Sequence, residues 1–307
     1  MKHAYLIIAH NKWDQLRVLL SMLDSEQNDI YLHIDKKAKN VPIQEIKDTV
    51  KFSQIQIFRE YKVYWGSFEI VQVELLLFRE AIKNQYDYYH LLSGMDLPIK
   101  SLEEIDSFFC VNNGKEFVHF DTDERLLQDR EIGRRTRLFH FLQNYRRRYR
   151  WKSVNAIFTF LERISLVMQI VLRIDRLKNY PSISIRYGSQ WVSITHDFAK
   201  YVVQNEKLIY QLFKYTNCAD ELFIQTLAYN SEFKEQLYRK QFDDDVRANM
   251  RLIDLKVRGN NGNPYTWKYA DLKEITNSEC LWARKFDADK DNDIILAICN
   301  TYGNKEV

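Results

Sequence analysis

The chain has 307 residues, 46% of them hydrophobic and 14% aromatic, which is enough for a large core in one α/β domain or two smaller ones. Its 45 basic and 42 acidic residues leave a net charge of +3, too close to neutral for a general nucleic-acid binder. Cys110, Cys218, Cys280 and Cys299 show no C-x-x-C spacing, which excludes a zinc finger or dense disulfide framework and points to a reducing compartment.

Met1–His10 carries an apolar run too short for a signal-peptide core and reads instead as a first buried strand, Ala4 to Ala9, so a cytoplasmic protein is expected. A helical pattern follows from Trp13 to Leu23, then a strand from Ile30 to Ile34, which is an α/β opening. Ile55–Phe58 predicts a third strand, Phe68–Lys83 a long helix, and Tyr88–Leu92 a strand that ends at Ser93-Gly94. With eight glycines and four prolines in all, Gly66, Gly94–Pro98 and Gly188 mark the turns, and Phe117–Phe120 predicts a further short strand.

Between Arg130 and Lys178 the character changes. Arg134, Arg135, Arg137, Arg146, Arg147, Arg148, Arg150 and Lys152 alternate with Phe139, Phe141, Tyr145, Tyr149 and Trp151. This stretch could clamp an anion, lie on an anionic membrane, or be a solvated helix face with its aromatics packed inward. No nucleic-acid module surrounds it, so no nucleic-acid partner is expected. The apolar run from Ala156 to Ile174 is broken by Glu162, Arg163 and Arg173, which argues against a spanning helix. Gly188–Thr195 alternates like a strand in its second half, and Asp197–Asn205 predicts a helix. No internal repeat is present, and one domain is preferred.

Neither G-x-G-x-x-G nor the P-loop pattern occurs, so dinucleotide and P-loop chemistry are excluded. Asp220-Glu221 opens an apolar-periodic stretch with Asn217 as its N-cap, where the helix dipole would hold a carboxylate anionic and fit to deprotonate a hydroxyl. Asp35, ending a strand, could accept hydrogen bonds from a ribose or a base. Asp121-Thr-Asp123 and Asp243-Asp244-Asp245 could offer oxygens to a divalent metal. Without a metal, a leaving diphosphate needs fixed cations, for which Arg251 and Lys285 are candidates.

Six segments, Ile7–Asn11, Tyr31–Asp35, Tyr88–Lys100, Gly188–Trp191, Cys218–Glu221 and Trp282–Asp287, occur in the order seen in one family. On these the chain resembles the core-2/I-branching N-acetylglucosaminyltransferase and peptide O-xylosyltransferase family, glycosyltransferase family 14, and looks like a bacterial member. The resemblance implies an α/β fold of the GT-A type, with a mixed central sheet flanked by helices. It also implies a UDP-sugar donor, inversion at the anomeric carbon and no metal cofactor. By motif, Glu221 matches the catalytic base, Lys285 the diphosphate-binding lysine and Arg251 its arginine partner. Ile8, through its main chain, and Asp35 match positions around uracil and ribose, while Asp96 and Trp191 fall in motifs lining the active-site region.

The expectation is therefore a single domain over residues 1–307, with a basic-aromatic helical insertion at about 130–180. It would move GlcNAc or xylose to a hydroxyl of a glycan or lipid-linked acceptor in surface polysaccharide synthesis. Arg134 to Lys152 would rest on the inner leaflet of the plasma membrane, and Asp220 would support the helix start. The rival readings are a metal-dependent transferase using Asp121 and Asp123, and a non-catalytic module that binds nucleotide or glycan.

Overall fold

A computed structural model describes residues 1–146, 148–149, 151–259 and 263–303. Arg147 and Arg150 of the basic-aromatic stretch lie outside the described residues. In chain order the elements are β1 (His3–Ala9), α1 (Trp13–Leu23), β2 (Asn28–Ile34), α2 (Ile43–Asp48), β3 (Gln54–Phe58), α3 (Glu69–Ala81), β4 (Tyr88–Ser93), β5 (Asp96–Pro98) and α4 (Leu102–Val111). There follow α5 (Asp123–Gln128), α6 (Arg130–Arg137), α7 (Lys152–Val171), β6 (Ser193–Thr195), α8 (His196–Gln204), α9 (Glu206–Phe213) and α10 (Phe223–Tyr229). The chain closes through β7 (Arg251–Ile253), α11 (Leu272–Thr276), β8 (Trp282–Arg284) and α12 (Asn292–Tyr302).

The central sheet runs β3-β2-β1-β4-β6, parallel except for β6, which is antiparallel to β4. β1 lies in its middle, and an almost unbroken apolar strand suits a site covered on both faces. Its side chains alternate accordingly: Ala4 and Leu6 enter one core with α3, α8 and α10, while Tyr5 and Ile7 enter the other with α1 and α12. A second sheet, β5-β8-β7, pairs β5 antiparallel and β7 parallel to β8. The result is a mixed central sheet flanked by helices, of the GT-A type that the resemblance implies.

The first six expected elements stand within a few residues of where periodicity puts them, as β1, α1, β2, β3, α3 and β4, while the short α2 is not anticipated. Phe117–Phe120 does not form a strand: Glu116 and Phe117 make only isolated bridges, to Leu237 and Ser193. The four-residue apolar run is buried as loop, beside Glu116, which accepts hydrogen bonds from Thr195. The apolar run after Trp151 is also not broken as expected. α7 spans 20 residues and is long and apolar enough by length and composition to cross a membrane, with 11% of its apolar window buried. Glu162 does not interrupt it because that side chain turns inward against the protein.

Candidate active site

The carboxyl ends of β1, β2 and β4 form one edge of the central sheet, the place where open α/β sheets bind ligands. There the Ile8 carbonyl accepts from Gly94 N–H at 2.9 Å, and Asp35 N–H donates to the Ala9 carbonyl at 2.9 Å. Asp35 is buried, with Oδ1 accepting from Lys37 N–H at 2.8 Å and Oδ2 3.4 Å from Lys37 Nζ. His10 follows β1, its ring exposed yet crowded by protein. Lost solvation holds its imidazole below the usual range, opposed by Asp35 and assisted by the Lys37 and Arg284 charges. Ile8 and Asp35 thus share one rim, with Arg284 within electrostatic reach of it.

Arg284 is fixed by the small sheet. Antiparallel pairing of β5 with β8 sets Asp96 opposite Arg284, and Asp96 Oδ1 accepts from the guanidinium at 2.7 Å. Asp96 Oδ2 accepts from Ser93 N–H at 2.8 Å, which ties the pair to the end of β4. The same guanidinium lies 4.4 Å from the ring centroid of Trp191, a cation-π contact. Lys285 is the next residue, half-buried, with its main chain held by Trp267 N–H at 3.0 Å. Among the described residues no carboxylate pairs with its ammonium.

Arg251 does not stand where a diphosphate could reach it. It is 1% exposed, and its guanidinium donates to Ser193 Oγ at 3.0 Å and to the carbonyls of Asn249, Leu91 and Val192. It also stacks 4.5 Å over Trp282, and burial pushes its pKa down. A cation so enclosed braces β4, β6 and β8 from within.

Asp220 and Glu221 also differ from expectation. They lie in a single 3-10 turn, Ala219–Glu221, and the helix proper begins at Phe223. Asn217 does not cap it; its Oδ1 accepts from Arg146 at 2.9 Å instead. Gly66, at φ 76°, lets the chain double back so that its carbonyl takes Cys218 N–H at 2.9 Å. A Cβ on Gly66 would lie 2.7 Å from Asn217 Oδ1.

Burial and the neighbouring Glu221 charge push Asp220 well above the usual carboxylate range, so it is not held anionic by a helix dipole. Glu74, fully buried on α3, is raised too, first by burial and then by Asp220. Gln190 donates to Glu74 Oε1 at 2.6 Å, while the buried Glu74 Oε2 and Asp220 Oδ1 have no donor among the described residues. Two such groups within electrostatic reach of each other favour holding a proton over double ionisation.

Glu221 is the exposed member, its side chain 34% accessible. Its Oε2 accepts from Arg135 of α6 at 2.9 Å, and Oε1 has no partner among the described residues. Its carbonyl accepts from Gly188 N–H at 2.9 Å. A Cβ on Gly188 would lie 1.9 Å from the His119 carbonyl, so only glycine fits between the two. From Gly188 three peptide steps, spanning at most about 11 Å between Cα atoms, reach Trp191 and its stacked Arg284. The Gly188–Trp191 loop therefore connects the Glu221 turn to the Arg284 and Lys285 cations.

Both acidic clusters are neutralised by protein bases. Asp121 pairs with Arg125 and Asp123 with Arg186, whereas Asp244 takes His119 at 2.8 Å and Lys256. Arg239 pairs with Asp243 and Asp245, and Arg247 also pairs with Asp245. Among the described residues no group of three or more His, Cys, Asp or Glu is placed to hold a metal ion.

Sequence reasoning missed Arg284, Arg135, Glu74 and Gln190. Arg284 and Gln190 sit inside the segments already singled out, Trp282–Asp287 and Gly188–Trp191. Arg135 stands out in the sequence only as one of a basic run and Glu74 carries no local signal, because only the fold brings α6 and α3 against residues 220–221.

A family model described as Core-2/I-Branching enzyme matches residues 3–279. A xylosyltransferase of Ciona intestinalis is 22% identical over 254 residues, covering 80% of this chain and 26% of its own length. Xylosyltransferase sqv-6 of Caenorhabditis elegans is 26% identical over 313 residues, covering 92% of this chain and 34% of its own. The chain thus spans a quarter to a third of the length of these curated relatives. Among solved structures, mouse xyloside xylosyltransferase 1 in its apo form aligns over 92% of this chain and 97% of that one, at 8% identity and a TM-score of 0.36. With residues 3–279 matched by one family model, the chain belongs to the Core-2/I-Branching enzyme family of glycosyltransferases.

Proposed function

We propose that the chain is an inverting, metal-independent glycosyltransferase that moves GlcNAc or xylose from a UDP-sugar to a hydroxyl of a glycan acceptor. The observation that carries this reading is Glu221, whose Oε2 is steadied by Arg135 while Oε1 has no partner among the described residues. Oε1 takes the proton of the acceptor hydroxyl as that oxygen bonds to the anomeric carbon. The bond from that carbon to UDP breaks, and its electron pair leaves with the diphosphate. One displacement inverts the centre.

Arg284 and Lys285 face the charge growing on UDP, since fixed cations on rigid elements stabilise a leaving group without reorganising. Arg251 acts indirectly, through the strands it braces. The Ile8 main chain and Asp35 hold uracil and ribose at the strand ends. The acceptor is a lipid-linked or growing surface polysaccharide, met on the cytoplasmic side, and the chain works as one GT-A type domain with an insertion at about 130–180.

Glu221→Gln should lower turnover by about 10²–10⁴-fold while leaving UDP affinity within a few-fold of wild type. The measurement is donor consumption beside calorimetric UDP titration across a panel of UDP-sugars. Full turnover in the variant removes Glu221 from the reaction, and a wild-type chain that binds UDP but never turns over is a binding module. Metal independence rests on arginines occupying both Asp121 and Asp123. Activity abolished by EDTA and restored by Mn²⁺ or Mg²⁺ would reverse it.

A further inference from the structure

Helix α7 is built inside out. Its buried residues are Glu162 and Gln169, seven apart and so on one face, and both are spent on the segment that precedes the helix. Glu162 Oε1 lies 3.0 Å from His140 Nδ1, and its Oε2 accepts from Leu142 N–H at 2.9 Å. Gln169 accepts from Phe139 N–H at 2.8 Å and donates to the Phe139 carbonyl at 2.9 Å. This polar seam fastens the helix to the protein and turns its apolar side chains outward. Phe160 is 63% exposed, Val167 59% and Val171 74%, and Trp151 just before the helix is 72% exposed. Soluble proteins rarely leave so continuous an apolar strip uncovered.

Charge says what covers it. Between residues 148 and 173 the described exposed charges are Arg148, Lys152, Arg163 and Arg173, all basic, and the acid Glu162 is buried. A second copy packed on the same face by two-fold symmetry would oppose these cations to their own kind. An anionic lipid surface offers the complementary sign together with an apolar interior. Lys and Arg stems can run along the apolar strip and lift their charges to the phosphates, and Tyr149 and Trp151 at the helix start suit the headgroup boundary. The hydrogen-bonded seam requires the helix to stay against the protein, so it lies in the plane of the membrane instead of crossing it.

We propose that α7 is an in-plane membrane anchor, its outward apolar face seated among the acyl chains of an anionic bilayer and its basic residues at the headgroups. The proposal is independent of the reaction assigned to Glu221. It is tested by floating the full chain with vesicles of phosphatidylcholine alone or with phosphatidylserine added. The wild-type chain should float with the anionic vesicles, and a Phe160→Ser, Val167→Ser, Val171→Ser variant should partition at least tenfold more weakly while melting at an unchanged temperature. A second variant, Arg148→Gln, Lys152→Gln, Arg163→Gln, Arg173→Gln, should lose the preference for phosphatidylserine. Three results would overturn the proposal: no flotation with either vesicle, flotation indifferent to the serine variant, or a monomer–dimer equilibrium in lipid-free solution that the serine variant abolishes. The last would assign the face to a second copy of this chain.

Discussion

α3 and α7 are both long helices rich in apolar residues, yet they face opposite ways. α3 buries Val71, Val73, Leu75, Leu77, Phe78 and Ala81 between the central sheet and α8, whereas α7 buries Glu162 and Gln169. Each also buries one glutamate, with different consequences. Glu162 has both oxygens engaged, so its helix is held by polar bonds. Glu74 has one oxygen engaged and the other buried with no partner among the described residues, and burial pushes it toward its neutral form. Apolar content alone does not decide which face of a helix is inside; the side on which polar partners wait does.

The contrast can be broken most directly in α3. Phe78→Ala should cost about 3–5 kcal/mol of folding stability by urea titration, since a fully buried ring leaves a cavity behind. A loss under about 1 kcal/mol would mean that α3 does not stand in the core.

The buried acids come next, through their pH dependence. Glu116, enclosed beside Thr195, is pushed up by burial to about 8 from its ordinary 4.5, and Glu74 shifts in the same direction. A carboxyl raised in the fold contributes its full stability below its unfolded pKa and loses it as pH climbs through the folded one. Wild-type stability should therefore fall between about pH 4.5 and 8, by a few kcal/mol at most, and Glu116→Gln with Glu74→Gln should flatten that slope. A slope unchanged in the double variant would assign it to other groups.

The smallest effect belongs to α7. Phe160→Ala should change stability in lipid-free buffer by no more than about 0.5 kcal/mol, because an exposed ring loses little when truncated. A cost like that of Phe78→Ala would show that the face is already covered in solution.

Much of the parallel sheet could be read from the chain. β1, β2, β3 and β4 are short β-branched or aromatic runs bounded by turn residues, and α1 and α3 carry a clear helical period. What failed were inferences that needed the third dimension. Phe117–Phe120 has strand composition but makes only an isolated bridge, Phe117 to Ser193, and a bond at its far end from Asp244 N–H to the Phe120 carbonyl, not a continuous ladder. Glu162 and Arg163 read as breaks in an apolar run, because a sequence does not show that Glu162 has His140 to meet. The site divides in the same way. Asp96, Trp191, Glu221 and Lys285 stand in recognisable segments, and the structure ties the first three through Arg284 and the Gly188–Trp191 loop. Arg251 stands in a less distinctive segment, outside the six that carry the resemblance, and faces inward, where four protein oxygens take its guanidinium.

Gly188 is squeezed between two carbonyls, that of Glu221, which it binds, and that of His119, which leaves no room for a side chain. Two residues on, Gln190 grips Glu74, and one further, Trp191 carries Arg284. The link between Glu221 and the Arg284–Lys285 pair is therefore a property of one short stretch of main chain more than of the side chains at either end. For the proposed reaction this means that the distance between base and leaving-group cations is set by backbone, and a residue larger than glycine at position 188 would shift both ends together.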